Sequence, residues 1–125
     1  MKFVLLLAAA LTLAGPAVAQ KSPMTVFERD GILSARLAAA LRGGIADSPR
    51  FRTPRSTHDD VYQLVFTAAP HPLPGGRFAY EMELMRLDQT GVPITVTTLE
   101  GSCWRARMVP CSSAILAHAA HALGY

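Results

Sequence analysis

Val61-Tyr62-Gln63-Leu64-Val65-Phe66-Thr67 and Arg77-Phe78-Ala79-Tyr80-Glu81-Met82-Glu83-Leu84 are the stretches that decide the fold. The first is rich in β-branched and aromatic residues, and both alternate with a period of two, the spacing that sends successive side chains to opposite faces of a sheet. In the second, Phe78, Tyr80, Met82 and Leu84 share one face and Glu81 and Glu83 the other, so one face is expected in a core and one in water. A third strand is expected from Pro93 to Glu100, with Ile94, Val96 and Thr98 alternating with Thr95, Thr97 and Leu99. Pro70, Pro72 and Pro74 with Gly75-Gly76 supply one connection, and Asp88-Gln89-Thr90-Gly91 the other. Three consecutive strands joined by short turns make an antiparallel meander.

Helical spacing flanks the strands. Upstream, Ser22-Pro23 reads as an N-cap with proline at the first helical position, and Thr25 with Glu28 as an alternative capping box. Leu33, Leu37, Leu41 and Ile45 then recur every four residues, and Arg42 with Gly43-Gly44 reads as the helix end. The segment from Ala46 to Asp60 contains two prolines and no period, which predicts a loop, or at most a short extended piece around Arg50–Arg52. Downstream, Ser112 or Ser113 can cap a helix with Ile115, Leu116, Ala119, Ala122 and Leu123 on one side and Gly124 at its end. The expected architecture is a two-layer α+β domain of order αβββα: N-terminal helix, three-stranded antiparallel meander, C-terminal helix.

The first 19 residues read as an address. Met1-Lys2 is a basic start, Phe3 to Ala14 is apolar except for Thr12, and Ala17-Val18-Ala19 forms a small-x-small cleavage site. The apolar run is short of the ~20 residues a bilayer span needs. Gln20, where a lipoprotein would have cysteine, leaves no thiol to lipidate. The expectation is a cleaved secretory signal peptide over residues 1–19, a single exported domain over 20–125, and no membrane span after cleavage. Location in the periplasm or outside the cell follows. Ten arginines against two lysines, with abundant alanine, lean toward a bacterial source. Without Lys2 the chain carries eleven basic and nine acidic side chains, too even a balance to imply a nucleic-acid partner.

In an oxidising compartment, two cysteines have one intramolecular pairing, so Cys103 and Cys111 are expected to form a disulfide. Seven residues intervene, unlike the close CxxC pair of a redox site, and His118 follows at no recognisable zinc spacing.

Several groups could carry chemistry. His58-Asp59-Asp60 places an imidazole beside carboxylates in a loop, making His58 and Asp60 candidate acid–base residues, though no GxSxG-type nucleophile accompanies them. His118 and His121 lie one helical turn apart, on the side away from Ile115 and Leu116, and are candidate metal ligands lacking a third donor. Met82 and Met85 would suit a soft metal only on a helix; on a strand they point to opposite faces. Arg50, Arg52 and Arg55 around Phe51 could clamp an anion, but Asp47, Asp59 and Asp60 balance them. Trp104-Arg105-Ala106-Arg107 lies inside the expected disulfide loop, stiffened by Pro110, and carries residue types that dominate binding hot spots. The competing role for Trp104 is packing over the disulfide as core.

No motif identifies a family, and no cofactor is implied. The reading that follows is a small non-enzymatic binding or interaction module of the cell envelope, an accessory factor or enzyme inhibitor. Trp104, Arg105 and Arg107 would be its binding residues and an envelope or secreted protein its partner. The alternative is a small periplasmic hydrolase or metal-binding protein using His58 or the His118/His121 pair.

Overall fold

In the computed structural model, residues 20–55, 61–88 and 90–125 are described. Their elements run β1 (Ser22–Phe27), α1 (Ile32–Asp47), β2 (Phe51–Arg52), β3 (Val61–Leu73), β4 (Arg77–Leu87), β5 (Pro93–Trp104) and α2 (Met108–Ala122). The five strands form one mixed sheet in the order β2-β1-β3-β4-β5. The meander read from the sequence is present as β3-β4-β5, antiparallel throughout. The expected order αβββα is incomplete, because two further strands lie upstream of the meander.

The first of these overturns the N-terminal helix start. Ser22-Pro23 does not cap a helix; it opens β1, in which Met24 and Val26 are buried while Thr25 and Phe27 alternate away from the core. Thr25, Val26 and Phe27 are β-branched or aromatic, and the period of two prevails over the capping signals. β1 lies between β2 and β3 and runs parallel to both, which requires the crossover through α1. The second, β2, is the two-residue extended piece around Arg52, and it places Phe51 in the core at 1% exposure.

α1 starts at Ile32 without a side-chain cap, although the buried Ser34 hydroxyl accepts a hydrogen bond from the Arg29 amide at 2.8 Å. Leu33, Leu37, Leu41 and Ile45 are buried as their spacing predicts. Gly43-Gly44 does not end the helix, which continues to Asp47. Gly44 instead faces α2: a Cβ there would lie 2.7 Å from Leu116 Cδ1, so the small residue lets the helices approach. α2 begins at Met108, earlier than the expected caps Ser112 and Ser113. Pro110 is tolerated because amides of the first turn have no helical acceptor. Ile115, Leu116, Ala119 and Ala120 are buried, while Ala122 is exposed.

Both helices cover the face of the sheet that carries Leu64, Phe66, Phe78, Tyr80, Met82 and Leu84, all buried. Met85, three residues from Met82, pairs with Gln63 and Thr95 on the other face, so the two methionines do not meet. β3 is longer than expected. It runs through Pro70 and Pro72 to Leu73, with register shifts at Phe66/Ala68 and Ala68/His71 that accommodate residues unable to donate to a regular ladder. The connection shrinks to residues 74–76, where Gly75 and Gly76 adopt φ of +79° and +78°. β5 extends four residues past Glu100, and its pairing with β4 shifts between Leu84 and Met85, where Val96 is the extra residue. The simple alternation over Ile94 to Leu99 is therefore broken, leaving Ile94 and Val96 55% and 37% exposed while Leu99 is buried.

At the end of the chain Tyr125 packs edge-on against Phe51 with centroids 6.1 Å apart. Its hydroxyl lies 2.6 Å from Ser22 Oγ, and the Arg50 guanidinium sits 5.7 Å above its ring. The C-terminus thus closes the β1–β2 edge. In the core, Tyr80 lies across Gly101 of β5, and burial holds its phenol above the ordinary value of 10.0.

Two glycines give opposite expectations. A Cβ on Gly101 would meet Tyr80 Oη at 2.8 Å and Cζ at 3.1 Å, so Gly101→Ala must displace a packed ring and should cost ~1–3 kcal/mol in denaturant unfolding. A Cβ on Gly43 meets nothing within 4 Å, so Gly43→Ala should stabilise by roughly 0.5–1 kcal/mol through helix propensity.

The β4–β5 turn should be pH-sensitive. Asp88 Oδ1 accepts hydrogen bonds from Thr90 Oγ1 at 2.6 Å, Thr90 N at 2.9 Å and Val92 N at 3.3 Å. The Thr90 hydroxyl first, then the backbone amides, hold the carboxyl below its ordinary 3.8. A depressed folded-state value gives stability that is present above the unfolded value and disappears as pH falls through the folded one. The stability difference between the parent chain and Asp88→Ala should therefore narrow as urea titrations move from neutral pH to below that value.

Candidate functional site

The Trp104–Arg107 segment is built where β5 leaves the sheet and turns into α2. Cys103, one residue before the end of β5, faces the core side with Phe78, its partner across the ladder. It is disulfide-bonded to Cys111 in the first turn of α2, with Cα atoms 5.7 Å apart. Cys111 is 5% exposed, so one end of the bridge is anchored in the core. The segment between them is therefore a tight turn followed by a helix start, in which Arg107 N donates to Trp104 O at 2.9 Å and Cys111 N to Arg107 O at 3.2 Å.

Two neighbours fix this turn from outside. Arg105 N donates to Gly76 O of the β3–β4 connection at 2.9 Å, and Arg36 Nη2 of α1 donates to Arg105 O at 3.1 Å. The backbone of Arg105 is thus held on both sides while its side chain stands in solvent.

Trp104 does not pack over the disulfide as core; it is 52% exposed. It lies opposite Arg77 in the β4–β5 ladder, on the face of the sheet without helices, and the Arg77 guanidinium sits 5.5 Å above its ring. Arg77 also donates a hydrogen bond to Ser102 Oγ. One face of the indole is thereby braced by a cation and the rest is left to solvent. The sequence alone does not mark Arg77, because its role depends on the β4–β5 register. Its position directly after Gly75-Gly76, at the start of an alternating strand, is the signal that a ladder partner stands opposite.

Exposed Trp104, Arg105 and Arg107 therefore occupy one corner with Arg77 and Arg36. This arrangement offers an aromatic surface and several guanidinium donors, suited to carboxylates and apolar side chains of a binding partner. It contains no nucleophile–base pair.

The other candidates lie elsewhere. His58 and Asp60, with Asp59, fall outside the described residues. His118 and His121 are exposed on α2. No group of three or more His, Cys, Asp or Glu suited to a metal ion occurs among the described residues. The Arg50–Arg52–Arg55 clamp does not form around Phe51, since that ring is buried and Arg50 is stacked on Tyr125 instead. A groove of about 700 Å³ runs between α1 and α2, lined mainly by small residues such as Ala40, Gly44, Ser112 and Ala117. It brings no titratable cluster together and does not reach the Trp104 corner. No helix among the described residues is long and apolar enough to cross a membrane.

The bridge links the end of β5 to a buried helical turn and should be worth what closing a short loop gives. Replacing Cys103 and Cys111 together by alanine should lower unfolding free energy by about 2–3 kcal/mol, measured in denaturant against the oxidised parent. The chain matches no protein-family model and no curated protein.

Proposed function

We propose that the chain is an exported, non-enzymatic binding module that engages a protein partner in the cell envelope or outside the cell, as an accessory factor or an enzyme inhibitor. The N-terminal apolar segment with its Ala-x-Ala site supports export, and the cysteine pair at bonding distance fits an oxidising compartment.

The observation that carries the reading is the half-exposed Trp104 between Arg77, Arg105 and Arg107 on a backbone tied by a disulfide and by hydrogen bonds to two other elements. Fixing the chain around the indole beforehand reduces the ordering entropy lost on association. Indole and guanidinium are also the groups most enriched where interfaces concentrate their energy.

A pull-down of the exported protein from envelope extract would identify the partner. The Arg105→Ala/Arg107→Ala double variant should then bind more weakly, by about 1–2 kcal/mol per side chain, with the melting curve of the free protein almost unchanged. Both side chains are exposed, and the hydrogen bonds that hold the turn use the backbone of Arg105, which alanine retains. Unaltered affinity would dispose of the reading, and a large loss of stability would assign the turn to the fold instead.

A further inference from the structure

We infer that the partner docks by adding an extended strand to the free edge of β5, and that this strand carries a lysine or arginine beside Glu100. The inference rests on the partner-binding reading above and specifies the form the partner takes.

β5 is the outer strand of the sheet, with β4 on one side and no strand on the other among the described residues. Every second residue of such an edge directs its N–H and C=O outward, a template for another chain. The shift at Val96 interrupts the edge, but from Thr97 to Trp104 the register with β4 is unbroken. Eight regular residues suffice for strand addition, in which backbone bonds supply affinity and side-chain neighbours supply selectivity. The edge ends at Trp104, so an added strand would run into the aromatic and arginine corner.

Charge identifies the occupant. On the face without helices, Glu100 of β5 stands directly opposite Glu81 of β4, and Glu83 is opposite Thr98 two residues along. Like charges directly opposite on a ladder repel. Among the described residues no ion pair involves Glu81 or Glu100. A strand added outside β5 places a side chain of the same face about 4.5–5.5 Å from Glu100, measured between Cβ atoms. A cation there offsets the repulsion that the free sheet leaves in place. A second copy of this chain is the poorer occupant, because β5 contains no lysine or arginine and its one charge is Glu100 itself.

The test uses the purified exported protein and a displayed library of random ten-residue segments. Selected segments should be rich in β-branched residues with one recurrent lysine or arginine. Synthetic copies should slow hydrogen exchange at alternate amides of Thr97–Trp104 and shift the emission of Trp104, the sole tryptophan. Glu100→Lys sets a cation opposite Glu81, so the variant should fold, bind the lysine-bearing segment roughly threefold to tenfold more weakly, and select segments with aspartate or glutamate instead. Glu100→Gln should lie between the two.

Selection of no segment, of the same segments by parent and Glu100→Lys protein, or protection confined to other elements would overturn the inference. A dimer with protected β5 amides in the absence of peptide would overturn it in favour of self-pairing. If the native partner is lost with Arg105→Ala/Arg107→Ala but unaffected by Glu100→Lys, the binding function stands and the strand-addition mode fails.

Discussion

The alternation along β4 is the constraint on which the structure depends. Phe78, Tyr80, Met82 and Leu84 are buried in succession; Phe78, Met82 and Leu84 stand opposite Cys103, Leu99 and Thr97 of β5, and Tyr80 opposite Gly101. A slip of one residue would put Glu81 and Glu83 under the helices and expose the aromatic rings, a reversal too costly for a domain of this size. In the register that β5 adopts against that face, Arg77 stands beside Trp104, Tyr80 over Gly101, and Glu81 against Glu100. The bracing of the indole and the carboxylate pair on the open face both follow from how β4 hides its apolar side.

The meander was legible because its pattern is local. Period-two alternation in 61–67 and 77–84 needs no knowledge of distant contacts, and the cysteines had one pairing available. β1 was harder to read. Ser22-Pro23 and the Thr25–Glu28 spacing are sound helix-start signals, yet they occur beside Met24 and Val26, whose burial depends on β3 some forty residues away. A six-residue strand whose neighbours are both parallel carries no hairpin turn to announce it. Gly43-Gly44 likewise read as a helix end because glycine is a cap signal, whereas its use here, close approach of α2, is a tertiary fact.

The candidate site was legible in type more than in arrangement. Trp104, Arg105 and Arg107 are contiguous, so the sequence could mark them as a unit. Their exposure, the cation over the indole, and the clamps from Gly76 and Arg36 come from three other elements. The arginines around Phe51 show the converse: the composition resembles an anion clamp, but the ring they would have used fills the core.

The position of β1 has a consequence for how the chain assembles. β1 precedes the meander in the chain but pairs with a strand whose partner residues begin at Tyr62, and with β2 only from Phe51 onward. Without those residues, Met24 and Val26 have no sheet to join. β3 and β4, by contrast, meet across a three-residue connection. Pairing β1 with β3 therefore closes a far longer loop than pairing β3 with β4, and the burial of Met24 and Val26 carries that larger entropic cost.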